Sequence, residues 1–117
     1  MEKLILDWAK EKGILENGTP NGQLSKLQEE FFELSDAILD RDGDGIIDGI
    51  GDMTVVLIIL ADMFGLSHTE CLAYAYNQIK DRKGKMENGT FVKDAQKLVR
   101  QKGRMVETSQ MEEEMSE

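Results

Sequence analysis

The stretch 53–65 reads MTVVLIILADMFG, and whether it is a strand or a helix decides the fold. Its β-branched run suits a buried strand. Three features argue for a helix. The run is about twelve residues long, more than a typical strand needs. It ends in Gly65, a residue that commonly closes helices. No other stretch of the chain reads as its partner strand. A helix that is apolar on almost every side belongs in the middle of a bundle or between subunits.

The flanking segments also carry helical spacing. Upstream, Leu24, Leu27, Phe31, Leu34 and Ile38 recur on one face between Gln23 and Leu39. Before them, ENGTPNG at 16–22 reads as a loop, with two Asn-Gly pairs and the single proline. Leu4, Ile5, Trp8 and Ala9 form the apolar face of a first helix ending near Gly13. Downstream, Ser67 and Glu70 have the spacing of a capping box, opening a fourth helix with Leu72, Ala73, Ala75, Tyr76 and Ile79. MENGT at 86–90 is a tight turn, and Thr90 is expected to cap a short last helix bearing Phe91, Ala95, Leu98 and Val99. The expected fold is all-α: a four- to five-helix bundle in one domain over 1–103, followed by an acidic, disordered tail over 104–117.

The totals narrow the class. The chain has 117 residues, 40% of them apolar, enough for one modest core. It has no run of 18 apolar residues, and MEKLILDWAKEKG lacks the pattern of a secretory signal. One cysteine, Cys71, fits a reducing compartment, so a cytoplasmic location without membrane association is expected. Cys71 itself reads as a packing residue, and the one histidine, His68, as a surface residue beside the Ser67 cap. Net charge is −9, and the stretch from Arg104 to Glu117 sets five glutamates against one arginine. Such a chain repels nucleic acid. It can bind a polyphosphate if divalent cations bridge the two.

Acids concentrate on either side of the turn between the second helix and the apolar one. Residues on a helix advance about 100° each, so Glu30 and Glu33 lie about 60° apart and Glu29 and Glu33 about 40°. Asp36 and Asp40 continue that stripe. Asp44, Asp48 and Asp52 are spaced by four on the next segment. Two antiparallel helices would aim these carboxylates at one another, which is costly unless a cation sits between them. Hard divalent cations take such oxygen ligands. Lys26, four residues before Glu30, reads as an ordinary helix-surface ion pair.

The segments QEEFFEL, GIGDMTVVLIILAD and YNQIKDRKGKM, with DWAKEKGI, GQLSKL and ENGTFVKDAQKL around them, resemble the all-α nucleoside triphosphate pyrophosphohydrolases of the MazG-like group over roughly residues 5–100. That family carries Glu-Glu-x-x-Glu and then Glu-x-x-Asp on the following helix. The first half is intact here as Glu29, Glu30 and Glu33. In the second half Asp52 matches, but Gly49 stands where the family has glutamate, and the nearest acid is Asp48. The resemblance implies hydrolysis of a (deoxy)nucleoside triphosphate to the monophosphate and pyrophosphate, with magnesium, or manganese in its place, and assembly as a homodimer or homotetramer. It implies Glu30, Glu33, Asp48 and Asp52 as metal ligands and Glu29 as an auxiliary acid, with Glu29 or another of these acids orienting the water. It further implies Asn77, Lys80, Arg82 and Lys83 as phosphate-binding residues. Trp8 offers a stacking surface for a nucleobase and Gln23 a polar edge, although a tryptophan on such a helix also serves as a core anchor.

A different reading of DRDGDGIIDGIGD at 40–52 is a calcium loop. Counted from Asp40, positions 1, 3, 5, 6 and 9 match the EF-hand pattern, but position 12 is Gly51 rather than a bidentate acid. This alternative is a calcium-binding helix-loop-helix module without catalytic activity, binding calcium weakly over 40–48. A third reading is an interaction protein that assembles through its apolar helix. The glycines make this segment an interhelical turn whose helix is expected to start late, near Asp48.

Overall fold

The computed structural model describes residues 1–94 in full, together with the backbone of 98–101 and 104–107. Five helices run in order: α1 (Glu2–Glu11), α2 (Ile14–Asn17), α3 (Pro20–Leu39), α4 (Gly43–Met63) and α5 (His68–Ile79). Two hairpins follow, β1 (Gly84–Glu87) with β2 (Thr90–Lys93), and β3 (Leu98–Gln101) with β4 (Arg104–Glu107). The chain is thus predominantly helical, as the periodicity requires, and 53–63 is helical as argued. It divides into two compact units, Met1–Ala75 and Tyr76–Glu117, with the boundary inside α5. No single helix among the described residues is long and apolar enough to cross a membrane.

Helix α3 begins earlier than Gln23. Thr19 is its N-cap, its hydroxyl accepting from the Gly22 amide at 3.0 Å, and Pro20 occupies the first helical position. Proline suits that position because the amide it lacks would have no helical partner. The expected loop at 16–22 is therefore corrected: α2 includes Glu16 and Asn17, and α3 includes Pro20 to Gly22.

The turn between α3 and α4 is short. Arg41 adopts the left-handed conformation (φ 54°), the Arg41 amide donates to the Ile38 carbonyl at 3.2 Å, and the Asp42 amide donates to the Ala37 carbonyl at 2.9 Å. These are the two bonds of a Schellman C-cap. Asp42 then caps α4, accepting from the Gly45 amide at 3.1 Å. The helix expected to begin near Asp48 begins at Gly43, because a cap and a negative first-turn residue, Asp44, outweigh the cost of its glycines.

Helix α4 is the centre of the first unit. It packs against α3 and α1, and the buried apolar residues are Ala9 of α1, Ala37 of α3, and Val56, Ile58 and Ile59 of α4. Each large aliphatic so buried contributes about 1.5–3 kcal/mol. At α5, Ser67 accepts from the Glu70 amide at 3.0 Å, as its cap position requires. The Glu2 carboxylate of α1 reaches the same helix start, taking the Thr69 amide at 2.9 Å and the Thr69 hydroxyl at 2.8 Å. These bonds hold the Glu2 carboxyl below its usual range.

The expected last helix is corrected. Thr90–Lys93 is a strand, paired antiparallel to Gly84–Glu87 with Glu87 opposite Thr90. Asn88 and Gly89 both have positive φ, 49° and 83°, as the two-residue type I′ turn of a hairpin demands. Leu98 and Val99 lie in β3, and Ala95 lies outside the described residues. Of the expected tail, Arg104–Glu107 forms β4 opposite β3, and 108–117 lies outside the described residues.

Candidate metal centre

Helices α3 and α4 form an antiparallel pair whose separation is set by two glycines. A Cβ on Gly49 would meet Leu34 Cβ at 2.9 Å and Leu34 Cα at 3.1 Å. A Cβ on Gly45 would meet Ala37 Cβ at 3.0 Å. The helices therefore approach more closely than any larger residue at these places permits. One turn beyond Gly49, that approach brings Asp52 of α4 to Glu30 and Glu33 of α3. One carboxylate oxygen from each of the three lies within 4.8 Å of the other two.

Glu30 is the unusual member. It is 5% exposed, and its Oε2 is buried without a hydrogen-bond partner. Its Oε1 lies 3.3 Å from the Nζ of Lys26, which is also 3.6 Å from Glu29 Oε2. The Glu30 carboxylate, followed by the charge of Glu29, holds the Lys26 ammonium above the usual lysine range. Burial, followed by the charges of Glu30 and Asp48 and by hydrogen bonding of the protonated acid to Glu30, pushes the Asp52 carboxyl above the usual aspartate range, with Lys26 acting in the opposite direction. Anions so gathered repel one another. The donors are hard oxygens, three in number, with one orphaned, so the set fits a divalent cation of the magnesium type.

The other expected ligands are arranged differently. Asp48 lines an open acidic groove with Glu33, Asp36, Asp40 and Asp52, but does not belong to the tight triad. Gly49, where the resemblance leads one to look for glutamate, faces Leu34 at the helix crossing, with no room for a longer side chain. Glu29 is exposed beside the triad and bound to Lys26. The glycine-rich turn does not form the open ring of a calcium loop: residues from 43 onward are helical, and the Asp42 carboxylate is engaged as a cap.

Trp8 is 46% exposed, and its neighbour Ala9 is the residue of α1 that anchors the core. Gln23 is half-buried in the first turns of α3. Neither belongs to the triad. Asn77, Lys80, Arg82 and Lys83 are exposed and belong to the second unit, Asn77 within α5 and the others in the turn before β1. The burial of Glu30 and its tie to Lys26 were the features that sequence reasoning undervalued. The signal was present as the Lys-x-x-x-Glu spacing, read only as a surface pair.

No family model matches the chain, and no solved structure matches it. Over 59 residues, 50% of the chain, it is 44% identical to an uncharacterized 18.2 kDa protein in the rep-hol intergenic region of Haemophilus phage HP1. The match covers 36% of that protein's length.

Proposed function

We propose that the chain is a magnesium-dependent hydrolase that cleaves (deoxy)nucleoside triphosphates to the monophosphate and pyrophosphate, after the MazG-like enzymes its segments resemble. The observation that carries this reading is Glu30, buried with an unpartnered oxygen and gathered with Glu33 and Asp52 within 4.8 Å. A buried carboxylate among other carboxylates is costly unless a cation completes the site.

Glu30, Glu33 and Asp52 would hold the ion, with Asp48 reaching from the adjoining groove. Magnesium, or manganese in its place, would supply charge against the phosphate oxygens and acidify a water. Glu29 is assigned the orienting of that water. Asn77, Lys80, Arg82 and Lys83 are assigned to the phosphates, where lysine and arginine are the usual partners. Trp8 offers a half-exposed ring for a base, and Gln23 an amide edge. A nucleotide substrate and a single cysteine fit a cytoplasmic setting.

Self-association belongs to the same proposal. Leu24, Phe31 and Ile38 on α3, and Ile50, Leu57 and Phe64 on α4 and its cap, recur every seven residues and are all exposed in the single chain. Stripes of that period seat against partner helices, which favours a homodimer or homotetramer.

The test is a panel of common and modified nucleotides with magnesium or manganese, with pyrophosphate and phosphate detected separately. Pyrophosphate release from at least one nucleotide is expected. Glu33→Gln, at an exposed position, should lower it at least 100-fold with the helical signal unchanged, on the order expected for loss of a metal-binding carboxylate. Absence of turnover across the panel would sink the reading.

A further inference from the structure

We propose that Lys26 is a positioning residue for Glu30: its ammonium holds Oε1, so that Oε2 is the oxygen presented to the cation. This rests on the metal-centre reading above. Three observations converge. Lys26 Nζ is 3.3 Å from Glu30 Oε1, while Oε2 of the same carboxylate is buried with no partner. Lys26 is itself tethered by a second carboxylate, Glu29, at 3.6 Å. Lys26 is about half exposed and Glu30 is buried, so the lysine grips the carboxylate from the solvent side of α3.

The terminal torsion of a glutamate is broad, and an untethered carboxylate turns readily. A donor on one oxygen fixes which lone pairs face the neighbouring acids. Carboxylates that ligate metals are commonly held in this way, and removing the holding group costs about 10–100-fold in metal affinity.

Charge alone makes the opposite forecast. A lysine beside a cation site repels the cation, and a lysine that merely fills the place of the ion must leave when the ion arrives. In either case its removal tightens metal binding. The sign of the effect therefore separates positioning from repulsion or competition.

The experiment is manganese binding by titration calorimetry, with electron paramagnetic resonance of the bound ion, on the wild-type chain, Lys26→Met and Lys26→Arg. Helical content is checked by circular dichroism. If Lys26→Met is not folded, Lys26→Leu, which also lacks a donor, takes its place in the same comparison. The expected result is affinity lower by about tenfold or more in the neutral variant, largely restored by arginine. Equal or tighter binding by the neutral variant, or failure of arginine to restore it, overturns the positioning role and leaves the metal centre standing. A wild-type chain that binds no manganese overturns the metal centre itself, and this proposal with it.

Discussion

Asp52 shows how a single side chain can report on the whole site. Burial and the charges of Glu30 and Asp48 raise its carboxyl above the usual aspartate range. The folded chain therefore binds a proton at Asp52 more readily than the unfolded chain does. The resulting stability is fully present below the ordinary aspartate range and disappears as pH rises through the elevated folded value. In metal-free protein, Asp52→Asn should thus gain on the wild type as pH rises from about 3 to about 7, read by thermal melts along that series. With manganese present at neutral pH the order should reverse, because the variant lacks the carboxylate proposed as a ligand. A difference that does not change with pH would contradict the assigned environment. At this scale Glu30, Glu33 and Asp52 were legible, since helical spacing placed them on facing stripes. The burial of Glu30 was not, because it depends on how near a neighbouring helix comes.

That nearness belongs to the elements. Gly49 sits against Leu34 with no space for a Cβ, so the glycine standing where the resemblance led one to expect an acid is a packing residue. Gly49→Ala gains about 1 kcal/mol in helix propensity but overpacks the crossing at a cost of about 1–3 kcal/mol. A net loss of about 1 kcal/mol is expected in urea unfolding, together with weaker manganese binding as the helices part. Gly49→Glu, which rebuilds the family motif on paper, should lower both stability and activity. Long elements with strong periodicity were readable: α1, the body of α3, and the apolar half of α4. Their starts were harder to place, because Thr19-Pro20 and Asp42 resemble loop chemistry until the cap is seen to close. The β1–β2 hairpin was missed although its Asn88-Gly89 turn was noticed. Thr90 looked like a helix cap, while Phe91 and Val92 were equally good strand formers.

For the molecule as a whole, the first unit buries few apolar side chains and leaves many large ones on its surface. Phe31 is 52% exposed and Leu57 38% exposed, each at the middle of a seven-residue stripe. A charge placed there should cost the lone chain little and a helix-to-helix interface much. Leu57→Asp is accordingly expected to shift the chain to monomer in light scattering coupled to size exclusion, with its helical content retained. An unchanged mass would argue against that surface as the interface. The sequence revealed an all-round apolar helix, but not which of its sides the chain itself would cover. That depended on the capped turn at 40–42, which folds α3 back along α4 and assigns Val56, Ile58 and Ile59 to the interior. The same turn bears on folding speed. Contacts between neighbours along the chain form early, since closing a short loop costs little entropy. Glu30, Glu33 and Asp52 all lie on that one hairpin, so an ion held as proposed would reward their meeting before α1 or the second unit contributes. With that ion bound, the site would act as a local nucleus, assembling while the rest of the chain is still searching.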